Sequence, residues 1–254
     1  KWSGGVFIEK IPHFALAIAF GIIAIKVQHT AGAMDLHKVH YSPLERFALG
    51  CFALITYLWK AIVPEGLHCF YTYPDKENGV LPYFYYAYPL LVAAILFITW
   101  KYARKNNMLV FGCLFFLVNI GLLLQFIPVG GAIVADRYTY IPYLGLFFMA
   151  GWWISGYFEQ GGNTQTGKML LGVAVVYSLC LGYMAHERCK VWYDTTSLWR
   201  DEIEKEPVRA PNAWNNLGFN YFNKFNDEVD QAKKKIYYDS SFMLLNKAIE
   251  LQPS

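Results

Sequence analysis

Charge is what this sequence has least of. Asp, Glu, Lys and Arg make up 16% of its 254 residues, against roughly 25% in an average soluble domain. The deficit is local. Residues 1–186 hold 12 of the 22 Lys and Arg and 8 of the 19 Asp and Glu, and the remaining residues hold the other 10 and 11. An apolar body is therefore joined to a water-soluble tail. The formal net charge is only +3 and no basic stripe is present, so the electrostatic footprint of a nucleic-acid binder is missing. Also missing are a glycine-rich phosphate loop, H-E-x-x-H, G-x-S-x-G and a paired C-x-x-C, which sets aside the common soluble-enzyme chemistries. No secretory signal pattern precedes the first apolar run, and the first residue is Lys1 rather than Met; the chain reads as a piece of a longer protein. Cysteine is sparse. Cys51, Cys113 and Cys180 lie in apolar runs and are expected to pack as small hydrophobes. Cys69 and Cys189 lie near expected helix ends on one side, where a disulfide is open but is not established by spacing.

Apolar residues dominate what is there: 56% are hydrophobic and 18% aromatic. A helix crossing a hydrocarbon core about 30 Å thick needs about 20 mostly apolar residues. Six runs meet that length: Ile8–Val27, Leu44–Val63, Tyr83–Trp100, Met108–Pro128, Tyr140–Phe158 and Lys168–His186. The second carries Glu45, Arg46 and Lys60 near its ends, where long side chains snorkel to headgroups, and a re-entrant path is the alternative. Interface aromatics fall at run ends, among them Tyr83, Tyr85, Trp100, Trp152 and Trp153. The expected fold is all-α: a polytopic membrane domain of about six spans over residues 1–186, then an extracytoplasmic linker and repeat over 187–254. Interhelix loop charges favour a tail outside the cytoplasm, seven basic residues against three, but counting the residues flanking the outer helices makes the two sides equal.

The tail carries one recognisable pattern. Trp214, Leu217, Gly218 and Tyr221 match W-x2-L-G-x2-Y, the start of a tetratricopeptide repeat. That spacing places Trp214, Leu217 and Tyr221 on one helix face, and Gly218 admits a close partner helix. Ala248 and Pro253 fit the repeat's small packing residue and closing proline, but arrive about eleven residues late for its usual length of about 34. The polar stretch Asn226–Lys235 is the expected insertion. A single repeat leaves its stacking faces bare, so further repeats are expected to follow.

Three places hold groups suited to chemistry. Asp136 and Arg137 sit at a membrane boundary among Tyr138, Tyr140 and Tyr143. An arginine there grips a phosphate bidentately and tyrosines line a headgroup or sugar; the plain alternative is that Arg137 pairs with Asp136 and snorkels. A second outer loop, after Lys60, carries Glu65, His68 and Tyr71. There Glu65 and His68 would exchange a proton and Lys60 would meet a phosphate; the alternative is an aromatic interface loop. His37 and His40, with Asp35, have the spacing of metal ligands on one helix face, but an interfacial loop is the expected reading and no metal site is assigned.

Several segments occur in a telling order: Ser42-Pro-Leu-Glu-Arg46, Tyr57-Leu-x-Lys60, Pro64-x-x-Leu67 with Tyr71-x-Tyr-Pro74, Ala135-Asp-Arg-Tyr-Thr-Tyr-Ile-Pro-Tyr-Leu-Gly145, Trp192-x-Asp194 with Leu198-Trp199, and Asn216-Leu-Gly218. From Tyr41 onward the chain resembles the transmembrane and tetratricopeptide-repeat-containing (TMTC-type) protein O-mannosyltransferases and their bacterial relatives. The resemblance implies a glycosyltransferase of the C superfamily in the bacterial inner membrane or the endoplasmic reticulum. It implies a polyprenyl-phosphate-linked sugar as donor, a protein hydroxyl as acceptor, and a periplasmic or lumenal tail whose repeats bind the acceptor. Arg137 and Lys60 would neutralise the carrier phosphate as it leaves. The family's acidic residues belong to a first outer loop that this chain does not contain, so the catalytic base is expected upstream, and a need for a divalent metal is left open. Two other classes stand beside this one: a non-catalytic membrane anchor whose repeat binds a partner protein, and a lipid-linked polysaccharide polymerase, ligase or transporter.

Overall fold

The computed structural model describes residue 5 and residues 8–30, 41–126, 131–159 and 164–251. The described chain is helical apart from one two-stranded pairing. Six helices form the body: α1 (Ile11–Thr30), α2 (Pro43–Ile62), α3 (Tyr88–Ala103), α4 (Asn107–Gly121), α5 (Pro142–Glu159) and α6 (Thr164–Val191). A 3-10 turn, Tyr83–Ala87, leads into α3. The tail adds α7 (Thr195–Lys205), α8 (Pro211–Asp227) and α9 (Gln231–Leu251). Strands β1 (Tyr71–Thr72) and β2 (Ala132–Val134) pair antiparallel, with Tyr71 opposite Val134.

Two stretches are long and apolar enough to cross a membrane, Tyr83–Ala103 with 21 residues and Gln165–Val191 with 27. Only 6% and 0% of their apolar windows are buried, so neither is the covered core helix of a soluble protein. On α1 every described side chain is exposed, including Phe14, Ile18 and Ile22. Exposed apolar surface of this extent marks a face that meets a membrane or another protein.

The body's core forms where α2 meets the strand pair and α4. Tyr57, Ala48 and Ala53 are fully buried, with Ile120, Ile133 and Val134 against them. α2 is one continuous helix, not a re-entrant turn. Glu45 does not snorkel. It is buried in a capping box with Ser42 and bonded to Lys76 at 2.9 Å and to the Leu81 amide at 3.3 Å. Helices α4 and α5 touch through glycine. A Cβ on Gly145 would lie 2.6 Å from the Gly112 carbonyl oxygen and 3.0 Å from the Phe116 amide, so the backbones meet with no side chain between them.

In the tail, Leu217 and Ala248 are buried between α8 and α9, and a Cβ on Gly218 would meet the Leu245 side chain at 2.8 Å. Ser241 donates to the Gly218 carbonyl at 2.9 Å. Trp214 donates from its indole to the Pro207 carbonyl at 2.9 Å, and the Tyr221 ring packs on Tyr237. Within the expected insertion at Asn226–Lys235, α8 runs to Asp227 and α9 restarts at Gln231, so most of that stretch is helical. Aromatic pairing explains this, because Phe225 packs on Tyr238 and Tyr238 stacks on Phe242, holding these turns together. Pro253 lies outside the described residues. α6 also continues past residue 186 to Val191, so the tail grows from a membrane-type helix without a break at that boundary.

Candidate functional site

The site is assembled from helix ends. Tyr57 fixes its floor: the Tyr57 hydroxyl accepts the Ala135 amide at 3.1 Å, and the Tyr57 carbonyl accepts the Tyr143 hydroxyl at 2.6 Å. These bonds and the β1–β2 pair hold the turn that follows β2. That turn is a short 3-10 helix, Asp136–Thr139, and Pro142 then opens α5 with its pre-set backbone angle. Lys60 comes from the last turn of α2, and Arg188 from the last turn of α6.

Lys60, Asp136, Arg137 and Arg188 line one cavity of about 490 Å³. Most of the remaining wall is apolar or aromatic, from Pro64, Leu67, Tyr140, Tyr143, Leu181, Met184 and Trp192. Its volume falls within the range of small-ligand sites, roughly 300–1,000 Å³. A second cavity of about 350 Å³, among Leu58, Leu96, Phe116 and Leu146, has a mainly apolar wall with no Asp, Glu, His, Lys or Arg.

The polar atoms of the first cavity are only partly satisfied. Asp136 Oδ1 lies 2.9 Å from the Tyr71 hydroxyl, which also lies 2.9 Å from the Gly66 carbonyl and accepts the His68 amide at 3.0 Å. Tyr71 has one proton for two acceptors. Asp136 Oδ2 is buried and without a partner among the described residues. Burial pushes the Asp136 carboxyl above its ordinary range, opposed by the Tyr71 hydrogen bond and by Lys60 and Arg188. On Arg188, Nη1 donates to Asp201 Oδ2 at 2.7 Å, while Nε and Nη2 are buried with no partner among the described residues. Those two nitrogens form one edge of the guanidinium fork, the edge that holds a phosphate or carboxylate bidentately.

The other cations are more fully engaged. Lys60 Nζ donates to the Glu65 carbonyl at 2.7 Å and the Gly66 carbonyl at 3.2 Å, and sits over the Tyr71 ring. Arg137 does not pair with Asp136. Its Nη1 donates to the Cys69 carbonyl at 3.0 Å and its guanidinium lies over Tyr138. Tyr140 lines the cavity, whereas Tyr138 packs on the hydrophobic core beneath.

The proposed exchange between Glu65 and His68 is replaced by another contact. Glu65 is exposed, and His68 Nδ1 lies 3.4 Å from Glu202 Oε1 on tail helix α7, without hydrogen-bond geometry. Glu202 is completely buried and accepts the Cys69 amide at 3.2 Å and the Cys69 thiol at 3.3 Å. Cys69 and Cys189 are both free, so the disulfide is not formed. Burial and the adjacent Glu202 carboxylate push the Cys69 thiol up to about 12. Lys205 completes the junction by donating to the Leu67 carbonyl at 2.7 Å and to Asp201 at 2.8 Å. No cluster of three or more His, Cys, Asp or Glu placed to hold a metal occurs among the described residues; Asp35, His37 and His40 lie outside them.

Sequence reasoning missed two residues here, Arg188 and Glu202. Both stand in charge-rich sequence where neither is conspicuous, and only the packing of α6 and α7 on the outer loop reveals them. Comparison with protein-family models, curated proteins and solved structures returns no match.

Proposed function

We propose that this chain is the carrier-binding membrane portion of a glycosyltransferase that uses a polyprenyl-phosphate-linked sugar on the periplasmic or lumenal side. The observation that carries the reading is the unpartnered Nε and Nη2 edge of Arg188, in a residue that lines the same cavity as Lys60 and Arg137. A buried guanidinium edge without an acceptor is costly to maintain, and a phosphate oxyanion satisfies it. The apolar wall from α6 suits the first isoprene units of a carrier. On this reading the six body helices all cross the membrane, the shorter α4 among them, and the cavity lies at the tail-side interface. α8 and α9 are then the first repeat of an acceptor-binding tetratricopeptide array.

The test is native mass spectrometry of the full chain with undecaprenyl phosphate. Losing a charge-assisted bidentate contact is worth about 1.5–3 kcal/mol, roughly ten- to a hundredfold in affinity, and that loss is expected in Arg188→Gln. Arg137→Ala is expected to lose less, since Arg137 already bonds the Cys69 carbonyl. Excess inorganic phosphate separates a lipid-phosphate site from a free-anion site by whether it displaces the lipid. If Arg188→Gln binds the lipid as the parent does, the carrier reading fails. The chain is then better described as a membrane anchor whose α8–α9 hairpin binds a partner protein.

A further inference from the structure

We propose that Asp136 sorts two forms of the carrier, weakening the hold on a bare phosphomonoester relative to a sugar-linked phosphodiester. The inference deepens the carrier-phosphate reading of the same cavity and rests on it.

Three cations and one acid line this cavity. Without the acid, Lys60, Arg137 and Arg188 would form a strong trap for a doubly charged anion. A glycosyl phosphodiester carries one negative charge at neutral pH. The bare carrier left after transfer is a monoester, whose second ionisation falls near pH 6, so at neutral pH it carries close to two. The donor and the spent carrier thus share a tail and a phosphorus and differ by one charge. A site lined only by cations would hold the spent form tighter than the donor and would be blocked by it.

Asp136 is placed to correct that order. It lines the same cavity as the cations, and its Oδ2 is buried with no partner among the described residues. The charged and titratable groups that reach it are Tyr71 and His68 from the outer loop, Lys60 and Tyr57 from α2, Tyr143 from α5 and Arg188 from α6. A carboxylate about 4–6 Å from a ligand's second charge repels it through a medium of effective dielectric about 20, enough for roughly a hundred- to thousandfold change in affinity. Against a sugar-linked diester the same oxygen has a second use, because a sugar hydroxyl can donate to it and the dianionic monoester, which carries no proton, cannot. Both effects favour the donor.

The experiment is a competition on the full chain at about pH 8, where the monoester is a dianion. Undecaprenyl phosphate and its methyl phosphodiester are supplied in equal amounts, and native mass spectrometry reads the ratio of the two adducts. The methyl ester isolates charge from sugar recognition. Asp136→Asn is expected to shift the ratio roughly a hundred- to thousandfold toward the monoester, and Asp136→Glu, which keeps the charge, is expected to leave it near the parent value. Asparagine retains an oxygen for Tyr71, and the diester adduct itself reports that the cavity is still formed. An unchanged ratio in Asp136→Asn, with both lipids bound, overturns the sorting role alone. Absence of both adducts from the parent chain overturns the carrier reading, and the sorting role with it.

Discussion

Glu202→Ala is the substitution with the most specific consequence for how the tail is attached. Glu202 is completely buried, and one oxygen serves both the Cys69 amide and the Cys69 thiol. Cys69 is itself only 2% exposed, so its amide has no ready access to water. Truncation removes a hydrogen bond to a charged acceptor, worth about 1.5–3 kcal/mol, and leaves a buried donor unsatisfied at about 1–3 kcal/mol. The two figures overlap, because the second is part of what the first measures, so about 2–4 kcal/mol is the reasonable total. At 1.4 kcal/mol per factor of ten, local opening of the outer loop should become at least about thirtyfold more frequent. Amide hydrogen exchange reads this directly. The Cys69 amide should exchange faster by that factor, while Leu244, buried between α8 and α9, serves as the internal control. Glu202→Gln keeps an acceptor oxygen and should fall between the two. If Cys69 exchanges in Glu202→Ala within about threefold of the parent rate, below the effect expected for a lost buried bond, then Glu202 does not clamp the loop and the account of the tail junction is wrong.

Two further outcomes follow from the packing and the charges. Gly145→Val should separate α4 from α5, since even a Cβ would lie 2.6 Å from the Gly112 carbonyl oxygen; overpacking of this kind costs about 1–3 kcal/mol, and a thermal-unfolding midpoint unchanged from the parent would refute the contact. Acidification should release the tail from the outer loop through Asp201. Burial pushes the Asp201 carboxyl up, but the hydrogen bonds from Lys205 and Arg188 outweigh it and hold the group below the ordinary range. A depressed carboxyl contributes stability that is present above its unfolded value and is lost as pH falls through the folded value. Limited proteolysis after Val191 should therefore accelerate below the ordinary carboxylate range in the parent chain, and Asp201→Asn should cleave at the fast rate already at neutral pH.

The helices of the body were legible because length and apolarity alone specify them. Leu44–Val63 was expected and Pro43–Ile62 is found; Tyr83–Trp100 was expected and helix continues to Ala103. Where hydropathy failed, the failure has a cause. The run from Met108 was carried to Pro128, yet α4 ends at Gly121. Leu124 and Gln125 lie buried in the following turn, with Gln125 at a left-handed φ of 56°. A turn tucked into the core keeps an apolar sequence, so composition does not mark it. The β1–β2 pair was invisible for a related reason. Strands of two and three residues, buried as β2 is on every residue, show no alternation to detect.

The site divides along a different line. Lys60, Asp136 and Arg137 stood out because each is a charge set in apolar sequence, and such charges at membrane depth are expensive. Arg188 and Glu202 belong to the charged tail, where one more ionic residue carries no information. Yet Arg188 keeps the open bidentate edge, and Glu202 holds the loop that carries Tyr71 against Asp136. Asp201 ties these together, since the same carboxylate oxygen fixes one end of the Arg188 guanidinium and the ammonium of Lys205, which in turn bonds the outer loop. The orientation of the open guanidinium edge is thus set by the tail helix and not by the helix that bears it. Anything that displaces α7 must release Nη1 of Arg188 and free the guanidinium to turn. The cavity-lining Arg188 and the residues that hold the tail are therefore one network, which is why neither half could be read from the sequence of the other.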